Sequence, residues 1–187
     1  MIATHQSIYP RVPPQGIYFE ALVEGSFKRI EKPVTVIEAG GRNQPRHDLL
    51  VDQHRISLKT ETGLGTKPHL ITITKLCTTE RRPWEAQVLV RRVMEHLSRY
   101  DVILMLRSLW AEDQVRYQLV DIPVTTLRKI EHAVFEAAGR GGSLGADVIE
   151  SGERLFHVHF DASDRKCSIR GLGIKYCTVL VEWDVRL

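Results

Sequence analysis

The sequence predicts an α+β or mixed α/β fold, with a central mixed β-sheet flanked by helices. Three observations carry that expectation. Segments with helix-spaced apolar residues recur along the chain, runs of β-branched and apolar residues of strand length lie between them, and no repeat, low-complexity tract or Gly/Ser linker divides the sequence. At 187 residues and 43% hydrophobic composition, the chain reads as a single domain, 1–187, able to bury one core.

Residues 1–14 contain three prolines and no periodic pattern, and are expected to form an extended arm. Between Ile17 and Ile30, the residues Ile17, Ala21, Leu22 and Phe27 fall near helical spacing, which predicts a first helix despite Gly25 and stops it before Pro33. Val34–Ile37 is a β-branched run followed by the turn-rich Ala39–Pro45. Two short strands are predicted over Arg46–Asp52 and Arg55–Glu61, joined by a Gln53-His54 turn, and another over Leu70–Leu76. From Trp84 to Tyr100, the residues Val88, Val93, Leu97 and Tyr100 share one side of a helix that Pro83 suits at its start. Val102–Leu109 is apolar enough for a buried strand, and Tyr117–Ile122 follows as a second. Pro123 opens a predicted third helix, closed by the glycines between 139 and 142. Residues 150–187 read as mostly β, with strand-like runs at Leu155–Phe160, Lys166–Arg170 and Thr178–Trp183.

Composition excludes several classes. The longest strictly apolar run, Val102–Leu106, is far short of the roughly 18 residues of a membrane span. Met1–Gln15 lacks the basic start and apolar stretch of a secretory signal. Three cysteines without C-x-x-C spacing argue against a disulfide scaffold or a Cys-rich zinc module, so a reduced, cytoplasmic setting is expected. A net charge of +3 permits an anionic partner without demanding one.

The chemistry concentrates in Arg46–Glu61. A Gln53-His54 turn would set Asp48 opposite Lys59, Leu50 opposite Ser57 and Arg46 opposite Glu61. Alternation then puts Leu49, Val51, Ile56 and Leu58 on one face and Asp48, Ser57, Lys59 and Glu61 on the other. Phosphodiester hydrolysis with Mg²⁺ needs carboxylate oxygens on a rigid frame and a cation near the developing negative charge. Asp48 and Lys59 supply both kinds of group. The plain alternative is a surface hairpin with a cross-strand ion pair.

An acidic residue entering one strand, a short hairpin, and then x-x-Lys in the next strand resembles the PD-(D/E)xK nuclease signature, here Asp48 followed by Ser57-Leu58-Lys59. The surrounding order of helix, hairpin, strand and long helix, over about residues 17–110, is similar to the type II restriction endonucleases of that superfamily. Two features depart from the pattern: no proline immediately precedes Asp48, and Ser57 stands where the second carboxylate is usual. The resemblance implies a restriction-endonuclease-like fold, Mg²⁺-dependent cleavage of double-stranded DNA, and a homodimer. It implies Asp48 as a metal ligand, Lys59 as the residue orienting water and stabilising charge, and Ser57 as the variant position. The missing carboxylate is then recruited from elsewhere: Glu20 on the first helix and Glu61 beyond Lys59 rank first, with Glu38 and Glu85 as further candidates.

Other segments offer binding groups with plainer readings beside them. Thr78–Glu85 combines hydroxyls, Arg81, Arg82 and Trp84 at a helix start, suited to a DNA backbone or to a capped, charged helix end. Arg91 and Arg92 read as a solvated face. Ala138–Gly145 lacks the Lys-Ser/Thr of a nucleotide loop and reads as a helix terminator. His157 and His159 share a strand face without a third ligand, so ordinary strand residues are favoured over a metal pair. Asp161–Arg170 reads as a polar hairpin in which Arg165, Lys166 and Arg170 can address DNA, or as a solvent-facing turn. All three cysteines read as structural. The competing function is a non-catalytic module, binding nucleic acid or a partner on a nuclease-like fold; a repair nuclease or a nickase is a third reading.

Overall fold

The computed structural model describes residues 2–9, 11–36, 48–79, 84–139 and 141–187. Among these residues, four helices and eleven strands follow one another as α1 (Ile2–Ile8), α2 (Gly16–Arg29), β1 (Val34–Val36), β2 (Leu49–Val51), β3 (His54–Glu61), β4 (Leu70–Thr78), α3 (Ala86–Leu97), β5 (Val102–Trp110), β6 (Gln114–Asp121), α4 (Val124–Arg128), β7 (Glu136–Ala137), β8 (Leu144–Glu150), β9 (Glu153–Asp161), β10 (Lys166–Gly173) and β11 (Thr178–Arg186). The mixed α/β class is as expected, but the strands divide into two sheets, one within each of two compact units.

The first unit, Met1–Pro68 with Tyr100–Ile122 and Cys177–Leu187, holds a mixed sheet in the order β1-β2-β3-β5-β6-β11. Among the described residues of this sheet, β3 and β5 pair in parallel and the other neighbours are antiparallel. Strand β5 is buried from Ile103 through Ser108, in keeping with its central place in the sheet. Leu49, Val51, Ile56 and Leu58 point into one core with Phe19 of α2, Leu104, Leu106, Val115 and Tyr117, so the alternation along the hairpin is borne out.

Residues 1–14 are not an extended arm throughout. All three prolines of this stretch come after Ile8, and the first residues are free to form α1, which buries Ile2 and Gln6 one turn apart. Gln6 Nε2 donates to Tyr117 Oη at 2.8 Å and to the Val12 carbonyl at 3.2 Å, tying this helix to the sheet. Burial pushes the Tyr117 phenol up to about 12.

The second unit, His69–Arg99 with Pro123–Tyr176, holds an antiparallel sheet in the order β4-β10-β9-β8-β7. Helix α3 buries Leu89, Val93 and Leu97, an i, i+4, i+8 stripe, and packs against α4. The predicted third helix is corrected: α4 continues only as a 3-10 turn to His132, and Ala133 is extended. Phe135 then packs in a tilted arrangement against Phe160 with ring centroids 5.0 Å apart, and Glu136 and Ala137 pair with β8, so sheet contacts override helix propensity there. The glycine-rich segment is accordingly a connection between β7 and β8, with the Ala138 amide donating to the Ser143 carbonyl, rather than a helix terminator.

Candidate active site

The β2–β3 hairpin reverses at Asp52-Gln53, not at Gln53-His54. Both residues have positive φ, 45° and 70°, the pattern of a two-residue turn whose twist suits antiparallel strands. Asp tolerates this backbone region better than most residues, and Lys32 Nζ holds its carboxylate at 2.7 Å. His54 therefore belongs to β3, Leu50 faces Arg55 and Leu49 faces Ile56. The predicted register is corrected, and Asp48 stands beside Ser57 rather than opposite Lys59.

The correction brings the three motif residues into one hydrogen-bonded row. Asp48 Oδ2 accepts from the Ser57 hydroxyl at 3.2 Å and from the Leu58 amide, while the Asp48 amide donates to the Ile56 carbonyl at 2.9 Å. Lys59 Nζ donates to the same Ser57 hydroxyl at 3.0 Å. A hydroxyl carries one donor and two acceptor sites, so Ser57 joins carboxylate to ammonium without reorienting. Ser57 is buried, whereas Asp48 and Lys59 keep partial exposure at the end of the row.

Glu20 belongs to the same electrostatic field. Partial desolvation raises its carboxyl above the usual range, the Asp48 charge raises it further, and Lys59 opposes both. Helix α2 is packed on β3 and β1, with Gly16 approaching Thr60, and so carries Glu20 toward this row. Glu61 is directed elsewhere. Its Oε2 accepts from Arg107 Nε at 2.7 Å across the parallel β3–β5 pair, and the Arg107 side chain is fully buried. Arg107 also donates to Gln118 Oε1 at 3.0 Å and to the Lys67 carbonyl at 2.6 Å, and Gln118 Nε2 donates to Glu182 at 3.1 Å. Sequence reading missed Arg107, although an arginine inside an otherwise apolar central strand signals a buried charge that needs partners. Glu38 lies outside the described residues, and Glu85 is the N-cap position of α3 in the second unit.

Among the described residues, no group of three or more His, Cys, Asp or Glu side chains is arranged to hold a metal ion. The oxygen donors of Asp48, Glu20 and Ser57 nevertheless suit a hard cation such as Mg²⁺, which keeps several waters and needs only one or two protein carboxylates. Desolvation raises Glu20 most, and the Asp48 repulsion that adds to it is the kind a divalent cation relieves.

Of the residues read as DNA contacts, Arg81 and Arg82 lie outside the described residues. Arg165 and Lys166 sit at the β9–β10 turn, where Asp161 Oδ1 accepts from Ser163 and Asp164 amides and Lys166 Nζ meets Asp164 at 2.6 Å. Arg170 is exposed on β10, opposite His157. His157 Nδ1 bonds Asp147 at 2.8 Å, and burial followed by Arg170 lowers His159. Arg92 meets Glu95 on the exposed face of α3.

A mixed sheet bearing a carboxylate, a hydroxyl and a lysine on one hairpin is the arrangement expected of the PD-(D/E)xK nuclease class. The family model described as SmaI, type II site-specific deoxyribonuclease, matches residues 17–185. Type II restriction enzyme SmaI of Serratia marcescens is 31% identical over 153 residues, 78% of this chain but 62% of that enzyme, so the match spans less than two thirds of the relative. No solved structure matches the chain. The chain belongs to the SmaI family of type II site-specific deoxyribonucleases, which bears out the resemblance carried by the hairpin. Restriction endonucleases act on DNA and are typically metal-dependent.

Proposed function

We propose that this protein is a type II restriction endonuclease that cleaves double-stranded DNA at a specific sequence, using Mg²⁺. The observation that supports this most is the hydrogen-bonded row from Asp48 through Ser57 to Lys59, with Glu20 in its field. Asp48 and Glu20 would hold the metal, which when bound supplies Lewis acidity and a more acidic water. Ser57 fixes the Lys59 ammonium by accepting its hydrogen bond. Lys59 would then place its positive charge beside the attacking water or the phosphate, where negative charge develops. Glu61, bound to Arg107, steadies the far end of β3 instead of serving as a ligand.

The 187 residues are read as one nuclease-like domain with DNA recognition in the β-rich 150–187 stretch, where Arg165, Lys166 and Arg170 supply cationic donors. A cytoplasmic homodimer, presenting two such centres to a palindromic site, fits the family. Among the described residues, no helix is long and apolar enough to cross a membrane.

The deciding experiment incubates supercoiled plasmid and long linear DNA with wild type and Lys59→Ala, with and without Mg²⁺. Discrete fragments that require Mg²⁺ and vanish in the variant are expected. Binding by gel shift without any cutting would replace this reading with a non-catalytic DNA-binding one.

A further inference from the structure

Cys77 on β4 and Cys167 on β10 are direct cross-strand partners within the second unit. Both side chains are buried, at 5% and 0% exposure, neither sulfur is in a disulfide, and the two are hydrogen-bonded to each other. Residues facing each other in an antiparallel pair have Cα atoms about 4.5–5.5 Å apart. That lies inside the window of about 4.4–6.8 Å that a disulfide spans. The proposed nuclease chemistry uses neither thiol.

We propose that Cys77 and Cys167 are an oxidative modification site that closes an intrachain disulfide when the protein meets a hydroperoxide. The Cys77 thiol is the less buried and reacts first. Its thiolate attacks one peroxide oxygen, the S–O bond forms, the O–O bond breaks, and hydroxide leaves to become water. The Cys167 sulfur then attacks the sulfenic sulfur, the S–S bond forms, the S–O bond breaks, and a second water departs. Two thiols are oxidised, one peroxide is reduced, and the two thiol protons end in the two waters. Burial and the neighbouring thiol hold Cys167 well above the usual thiol range. Cys167 therefore rests as the thiol, and with both sulfurs buried the reaction is slow and gated by local opening of the sheet.

The position of the pair gives the bond a defined effect. The β4–β10 register shifts between Cys167 and Ile169, and on the other side of Cys167 the Thr79 amide donates to the Arg165 carbonyl at 2.8 Å. A bridge at this point pins the strands between the irregularity and the β9–β10 turn. It fixes the base of the turn that carries Arg165 and Lys166.

The test does not depend on the nuclease reading. The native protein is treated with hydrogen peroxide, quenched, denatured, alkylated with N-ethylmaleimide and analysed by intact mass and peptide mapping. A single alkylated thiol, at Cys177, with a dithiothreitol-reversible Cys77–Cys167 link and the loss of two hydrogens, is expected. Cys177→Ser should form the same link. Three alkylated thiols, over-oxidation of Cys77 and Cys167 to sulfinic or sulfonic acid, or a bridge to Cys177 or a second molecule would overturn the proposal.

Discussion

The Ser57 hydroxyl donates to Asp48 Oδ2 and accepts from Lys59 Nζ, so the residue standing where a carboxylate is usual joins the other two members of the motif. Removing it should loosen both neighbours without removing either charge. We expect Ser57→Ala to slow plasmid cleavage by about 10-fold, the scale of one hydrogen bond. Asp48→Asn should slow it at least ~100-fold, the scale of a lost electrostatic group. Cleavage rates at saturating Mg²⁺ check both, and equal losses would remove Ser57 from its intermediary role.

Glu20 gives a pH dependence with a definite sign. Its carboxyl is raised in the fold by desolvation and by Asp48, so the folded state favours the neutral acid. Relative to the unfolded chain, its contribution is most favourable below the ordinary carboxylate range and declines as pH rises through the raised folded value. On going from about pH 4 to about pH 8, the urea midpoint of metal-free Glu20→Gln should therefore shift in the more stable direction relative to that of wild type. The variant should be the more stable of the two at the higher pH, and should lose the stabilisation that added Mg²⁺ gives wild type.

Arg107 is fully buried and spends its donors on Glu61, Gln118 and the Lys67 carbonyl. Arg107→Met leaves the Glu61 carboxylate without this partner, which should cost about 3–5 kcal/mol in urea unfolding. The double variant Arg107→Met with Glu61→Leu should recover part of that loss, because no charge is then stranded. A double variant worse than the sum of the singles would sink this account.

Asp101 tests the join between β3 and β5. Arg55 donates to its carboxylate through both backbone and side chain and holds it well below the usual range. The stabilisation is complete above the unfolded carboxylate value and disappears as pH falls through the folded one. Asp101→Asn should lower the thermal midpoint near neutral pH and flatten its decline in acid. A variant whose acid limb matches wild type would show the pair to be idle.

The hairpin and its inward residues were legible because period-two alternation of Leu49, Val51, Ile56 and Leu58 needs no tertiary information. Its register was not, because the turn contains no Asn-Gly or Asp-Gly pair, and the choice between Asp52-Gln53 and Gln53-His54 rests on which residues accept positive φ. Helix α1 was hidden by the prolines that follow it, since its existence depends on Gln6 reaching Tyr117 over a long sequence separation. The end of α4 was missed for a similar reason, the pull of Phe160 on Phe135. Glu61 and Glu20 were equivalent as sequence candidates. Packing separates them, through Arg107 on one side and α2 on the other.

Strand β6 meets its outer neighbour β11 only after Pro123–Tyr176 has been laid down in the second unit. During translation, the edge from Gln114 to Asp121 therefore emerges long before Thr178–Arg186 can cover it. A nascent chain paused in that interval exposes an unpaired strand to other chains. Non-local pairing of this kind makes folding slow, so expression at reduced temperature, with slower accumulation of half-made chains, should raise the soluble yield.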